Sequence, residues 1–202
     1  MKMKNTILMM TALTLTSFGQ VEVRMLGGLN HGERRELTTL PRYGQSIGVD
    51  AAVKLVGGLS ATGTFMHNQL GQIVFKSCPY NCSNITQTIT MKEFMGGARY
   101  TFNRHGLIAP YAGFNVGMVQ TTNHAIARPL VPGGPQDYSP AERSTSVNKL
   151  AWSSSAGVAV NIKRFGLGLD YTYLQLAGVS PFAFRRYAFD QQRLTAFVGV
   201  RF

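Results

Sequence analysis

The sequence has few charged residues and lacks the long apolar runs that would form membrane helices. Charged side chains make up 14% of its 202 residues, whereas soluble domains carry about 25%. No internal run reaches the 18 or so apolar residues of a membrane-spanning helix. The low charge argues against an ordinary soluble α/β enzyme, and the short apolar runs argue against a helical membrane protein.

Cysteine is scarce, with only two residues in the segment Cys78-Pro-Tyr-Asn-Cys82. In an exported protein such a pair predicts a disulfide between Cys78 and Cys82 that closes a small surface loop. A zinc site needs more ligands, and the nearest histidine, His67, lies eleven positions before Cys78 without a second histidine at ligand spacing. We therefore expect no metal site and no cofactor.

The sequence also lacks a convincing set of catalytic residues. The segment Gly44-Gln-Ser46-Ile-Gly48 matches the nucleophile elbow of hydrolases. That motif requires a turn from a strand into a helix, and here Ser46 leads into a segment of strand-like alternation. The four histidines, His31, His67, His105 and His124, are isolated from one another. We expect no catalytic residues and no enzymatic activity.

Basic residues are in excess, with a formal net charge of +11, but they are scattered. Their only clusters are pairs such as Arg34-Arg35, Lys163-Arg164 and Arg185-Arg186. Proteins that bind nucleic acid concentrate basic residues on one face and interleave them with aromatic residues. The pattern therefore predicts a solvated surface, or contact with anionic lipid and lipopolysaccharide phosphate, and no nucleic-acid partner.

The first nineteen residues are typical of a secretory signal. Lys2 and Lys4 supply the positive start, residues 6–16 are mostly apolar, and Ser17-Phe18-Gly19 has the small residues that precede a cleavage site. We predict a signal peptide over residues 1–19 that is removed on export. Residues 20–202 then form a single domain.

The most informative pattern is strand-like alternation in the last ten residues, Arg193 to Phe202. Leu194, Ala196, Val198 and Val200 form an apolar face, and the residues between them are largely small or charged. Seven earlier segments alternate in the same way. Their connections run long and short in turn, and the long ones are predicted at residues 31–42, 67–87, 123–146 and 179–192. This predicts an all-β, eight-stranded antiparallel transmembrane up-and-down barrel with short periplasmic turns and long extracellular loops.

The face opposite the apolar one carries charges in five of the eight predicted strands. Since a chain in lipid must pair every backbone group, the sheet must close, and these charges must face the lumen, where opposite signs can pair. The predicted lumen charge network is Glu22, Arg24, Asp50, Lys54, Glu93, Arg99, Asp170, Arg193 and Arg201. An eight-stranded barrel is narrow enough for its own side chains to fill, so we expect a structural network, with a narrow pore as the alternative.

With these residues in view, residues 20–202 resemble the OmpA/OmpX-like eight-stranded bacterial outer-membrane barrels. The resemblance rests on the segments 95–102, 110–118 and 166–173 and on the terminal Phe202. It implies the barrel class and an outer-membrane location, without a particular function. Such barrels often carry an acidic residue where Asn115 lies. Some that modify lipid A carry a His-x-Ser pair, and this sequence has none.

The predicted role is structural, or recognition through the extracellular loops in the manner of an adhesin. A pore for small solutes or ions is the alternative, and a lipid A-modifying enzyme is less favoured. We expect a monomer in the outer membrane that contacts lipid and lipopolysaccharide and meets an extracellular ligand or host surface. The residues predicted to make that contact are Arg34, Arg35, Arg185 and Arg186, with the neighbouring aromatics Tyr43, Phe182 and Tyr187.

Overall fold

The computed structural model describes residues 20–34, 43–77, 83–103, 106–129, 141–176 and 189–202. These residues form eight antiparallel strands in chain order. The strands are β1 (Val21–Arg34), β2 (Tyr43–Lys54), β3 (Leu59–Ser77), β4 (Ser83–Thr101), β5 (Ile108–Pro129), β6 (Ala141–Ile162), β7 (Phe165–Leu176) and β8 (Phe189–Arg201). Within these ranges, no helix is long and apolar enough to cross a membrane.

The sheet closes on itself through its first and last strands. Each strand pairs with the next along the chain, and β1 also pairs with β8. The register at this seam puts Glu22 opposite Arg201 and Met25 opposite Val198. Closure removes the unpaired strand edges that a bilayer would not tolerate. The prediction of an eight-stranded antiparallel barrel, with the last strand beside the first, is confirmed.

The two faces of each strand differ as the alternation predicts. In β1, Val23 and Met25 are exposed on the outer wall while Arg24 between them is buried in the lumen. In β8, Leu194 and Val198 are exposed while Arg193 is buried. Other exposed apolar side chains on the wall include Ile47, Phe65, Phe94, Tyr100, Phe114, Val116, Met118, Val158, Leu167, Leu169 and Tyr171. A continuous apolar wall of this kind is suited to lipid rather than water.

At the end with the long connections, several strands extend farther than the sequence predicts. β3 continues to Ser77 and β4 begins at Ser83, so the prediction of an irregular stretch over residues 67–87 is wrong. β5 continues to Pro129 and β6 begins at Ala141, which also corrects the loop predicted over residues 123–146. β1 reaches into the predicted 31–42 loop and β8 begins within the predicted 179–192 loop.

The physical reason is that strand pairing uses backbone groups and does not require apolar side chains. Apolar alternation marks only the part of a strand that faces lipid, which needs about 9–11 residues. β5 and β6 have 22 residues each, so roughly half of each lies beyond the bilayer. We call residues 72–77, 83–90, 120–129 and 141–149, which continue four neighbouring strands in this way, the β3–β6 extension.

The three short connections, residues 55–58, 102–107 and 163–164, lie at the opposite end, which we call the short-turn end. Among their described residues, Gly57 and Lys163 lie in the left-handed backbone region. Gly57 has φ 59°, which glycine adopts without strain, and Lys163 has φ 55°. For a lysine this conformation costs on the order of 1 kcal/mol, so the tight β6–β7 turn is held by the pairing on both sides of it.

Candidate functional site

The lumen begins at the short-turn end with a carboxylate shared by three arginines. Glu22 in β1 accepts a hydrogen bond from Arg24 at 3.1 Å and another from Arg201 of β8 at 3.3 Å. The guanidinium of Arg99, on β4 across the lumen, lies 3.9 Å from the same carboxylate. These contacts join the two seam strands to the far wall.

A second ion pair lies directly above the first. Arg99 donates to Asp50 of β2 at 2.8 Å, and the hydroxyl of Thr64 on β3 donates to the same carboxylate at 2.9 Å. Arg99 and Asp50 are both nearly inaccessible to solvent. Because a buried charge is costly unless it is paired and hydrogen-bonded, Asp50 and Arg99 depend on each other.

Arg24 is held between two aromatic rings as well as by Glu22. Its guanidinium carbon lies 4.9 Å from the ring centre of Tyr111 and 4.3 Å from that of Phe197. Such cation–π contacts between a desolvated arginine and aromatic rings contribute on the order of 1–2 kcal/mol. The Tyr111 hydroxyl in turn donates to Asp170 at 2.8 Å, and Thr172 donates to the other oxygen of Asp170 at 2.6 Å.

The third ion pair joins β4 to β8. Arg193 donates to both carboxylate oxygens of Glu93, at 3.0 and 2.9 Å, and Asn68 of β3 also donates to Glu93. Glu93 and Asn68 are almost completely buried. This pair crosses the lumen between strands whose residues are a hundred positions apart in the chain.

The structure therefore brings eight of the nine predicted lumen residues into the interior. Seven of them form the three ion-pair groups, and the eighth, Asp170, is bound by the hydroxyl groups of Tyr111 and Thr172. Lys54 lies instead near the end of β2, where it donates to the side chain of Gln20. Thr62 donates to Asn115 at 2.8 Å, so Asn115 takes part in a neutral hydrogen bond rather than in a salt bridge.

Toward the β3–β6 extension, apolar side chains replace charges in the lumen. The cluster consists of Leu70, Met91, Met95, Val119, Ala151 and Leu174. Met91 and Val119 have no accessible surface. Below it, the cavity among the charged groups measures about 40 Å³, which is room for one to a few water molecules. The described part of the lumen is therefore filled by charged groups toward the short-turn end and by the apolar cluster toward the β3–β6 extension.

Sequence reasoning missed the neutral members of this interior. Tyr111, Thr64, Thr172 and Asn68 carry no charge, so a search for charged residues passes over them. Strand parity could have found them. Thr172 shares the inward face of β7 with Asp170, and Tyr111 shares that of β5 with Asn115. On β3, Thr64 and Asn68 lie on the face opposite the apolar positions Leu59, Ala61 and Phe65. The apolar cluster could not be found this way, because its inward leucines and methionines put apolar residues on the face that is polar elsewhere, so the alternation of polar and apolar residues is lost there.

The other residues singled out in the sequence have different outcomes. Cys78, Cys82, Arg35, Arg185, Arg186, Phe182, Tyr187 and His105 lie outside the described residues, as does the predicted signal over residues 1–19. Only the backbone of Arg34 is described, at the end of β1. Tyr43 is exposed and its ring lies 5.0 Å from that of His31. Ser46 is buried and accepts a hydrogen bond from Asn30 at 2.9 Å.

No family model and no curated protein matches this chain. Among solved structures, neisserial surface protein A has a TM-score of 0.54 at 16% identity, over 91% of this chain and 99% of that chain. Ail, the attachment invasion locus protein of Yersinia pestis, has a TM-score of 0.56 at 12% identity, with the same coverage. The chain has the fold of OmpA/OmpX-like eight-stranded outer-membrane β-barrels. At these identities the likeness concerns the fold alone.

Proposed function

We propose that this protein is a non-conducting outer-membrane barrel that presents its β3–β6 extension as an extracellular recognition surface. The barrel serves as a rigid anchor, and the strands that continue past the bilayer carry the contact residues. Export would follow from the signal over residues 1–19, and the short-turn end would face the periplasm.

The observation that carries this proposal is the contrast between a closed lumen and an open extension. Side chains fill the middle of the described lumen, and the cavity among its charged groups has room for only one to a few water molecules. In the extension, by contrast, both faces of β6 are accessible, and all side chains from Glu142 to Asn148 are exposed. Exposed polar positions on a rigid scaffold are where binding residues concentrate.

Charge favours an anionic ligand for this surface. The β3–β6 extension contains four basic residues, Lys76, Arg128, Arg143 and Lys149, and one acidic residue, Glu142. Arg143 and Lys149 occupy the same face of β6 by strand parity. The structure of Ail was determined with the heparin analogue sucrose octasulfate, which makes a sulfated polysaccharide a reasonable first probe for a basic extracellular surface.

The experiment compares two double variants that remove the same charge from opposite ends of the barrel. Purified protein in detergent is passed over immobilised heparin as wild type, as R143Q/K149Q in the extension, and as K163Q/R164Q at the short-turn end. We expect R143Q/K149Q to elute at clearly lower salt than K163Q/R164Q, which loses only the general attraction of two exposed positive charges for heparin. Equal loss in both variants would indicate a response to net charge alone and would contradict recognition by the extension.

A narrow pore is the second candidate function, since charged residues line the lumen. Arg24, Asp50, Arg99 and Asp170 all border the small interior cavity. The apolar cluster above them opposes ion passage, because water and ions enter a packed apolar constriction only at a large cost in free energy. Conductance of the purified barrel in planar bilayers separates this candidate from the first.

A further inference from the structure

A second concentration of positive charge lies at the short-turn end, where the proposed recognition function makes no use of it. Four basic residues, Lys54, Lys163, Arg164 and Arg201, line one open cavity of about 910 Å³. They come from the end of β2, from the β6–β7 turn and from the last residue of β8. Three separate parts of the chain therefore converge on this cavity.

The Glu22 carboxylate beside the cavity is already engaged by arginines. The described residues that line the cavity include no Asp or Glu, and the Glu22 carboxylate that contacts Arg201 also contacts Arg24 and Arg99. Arg201 is also held by Asn161, whose side-chain oxygen accepts from it at 2.5 Å. Lys163 and Arg164 are exposed, and no ion pair of theirs occurs within the described ranges. The cavity consequently carries an excess of positive charge.

The rim of the cavity is apolar on the side of the barrel wall. Leu107 and Phe202 line it and are 62% and 75% exposed. Ile162 and Phe165, which flank Lys163 and Arg164 in the sequence, are also exposed on the wall. Basic side chains therefore stand at the lower edge of a lipid-facing belt, which is the position of phospholipid phosphates in a bilayer.

We propose that this cavity binds a phosphate group, supplied by an anionic phospholipid of the adjoining leaflet. Arg201, whose guanidinium is held in place by Glu22 and Asn161, contacts the phosphate from β8. Lys163 and Arg164 contact it from the β6–β7 turn. The acyl chains then lie along Leu107, Ile162 and Phe165. Both basic side chains come from the tight β6–β7 turn, in which Lys163 has a left-handed backbone.

The test measures lipid retention by the full chain with native mass spectrometry and by titration in nanodiscs. Wild type is compared with K163Q/R164Q and with R143Q/K149Q, the matched variant at the other end. The probes are phosphatidylglycerol, phosphatidylcholine and inorganic phosphate. Since both residues lie in an exposed turn, folding is checked by the shift in gel mobility between boiled and unboiled samples.

We expect wild type to prefer phosphatidylglycerol and K163Q/R164Q to bind it roughly thirtyfold more weakly, because each basic side chain near an anionic surface contributes a factor of about five. R143Q/K149Q should keep the wild-type preference. If inorganic phosphate binds with the same dependence on Lys163 and Arg164, the phosphate site stands and its source is the periplasm rather than the leaflet. Equal phosphatidylglycerol binding by all three proteins, or an equal loss in both variants, would overturn the proposal.

Discussion

The interior of the barrel and the β3–β6 extension are stabilised in opposite ways, although strands β3 to β6 contribute to both. Inside, Glu93 is almost fully buried and is held by Arg193 and Asn68, which lie on other strands. In the extension, His124 and Glu142 also form a pair, yet both are accessible to water. The interior therefore depends on side-chain pairs that do not tolerate the loss of one partner, whereas the extension depends on backbone pairing and leaves its side chains free to vary.

The sharpest way to test this contrast is to break one interior ion pair. Arg193→Met leaves the Glu93 carboxylate buried without its cation, and we expect it to lower the free energy of unfolding by about 3–5 kcal/mol. The double variant E93M/R193M should recover most of that loss, because no uncompensated charge remains. Urea unfolding in micelles, followed by the fluorescence of Trp152, measures both. A loss below about 1 kcal/mol for R193M would show that the pair is not needed.

Two adjacent glycines of β4 sharpen the contrast between the inner and outer faces. A methyl group at Gly97 would overlap the carbonyl oxygen of Phe114, whereas at Gly96 the nearest atom is 3.8 Å away. We expect Gly97→Ala to cost about 2 kcal/mol and Gly96→Ala to change stability by less than about 0.5 kcal/mol. The same unfolding assay applies, and similar losses for both would mean that the inner face is not tightly packed.

The smallest effect is expected in the extension. Thr145 is exposed on β6, so Thr145→Val should change the free energy of unfolding by less than about 0.5 kcal/mol. Its counterpart Thr172 is buried and donates to Asp170, and Thr172→Val should cost about 1–3 kcal/mol because the carboxylate loses a donor. A larger loss from T145V than from T172V would reverse the comparison.

The same contrast explains which parts of the molecule could be predicted from the sequence. The strands, their order and the charged inward positions were predictable, because lipid on one side and a narrow lumen on the other force an alternation that Leu194 to Phe202 already displays. The extension was not predictable, since residues such as Thr121, Asn123 and Ser144 pair through their backbones without any apolar pattern. The partner of each charged side chain could not be predicted either, because the strand register determines that Arg193 pairs with Glu93 and that Asp170 accepts a hydrogen bond from Tyr111.

The glycines show the same limit at a finer scale. Gly96 and Gly97 are indistinguishable in the sequence, and only the direction of each Cβ in the closed sheet separates a crowded position from an open one. Strand parity assigns Gly97 to the lumen once Arg99 is assigned there. The severity of the clash with Phe114, however, depends on the β4–β5 register.

The most direct test of a filled, non-conducting barrel is single-channel recording of the folded protein in planar bilayers. Folding is first established by the mobility difference between boiled and unboiled samples on a detergent gel. We predict no discrete conductance above that of protein-free bilayers, for the wild type and for the extension variant R143Q/K149Q alike. Reproducible unitary steps from the folded chain that change on substitution of Arg99 or Glu93 would contradict the account and establish the lumen as a pore.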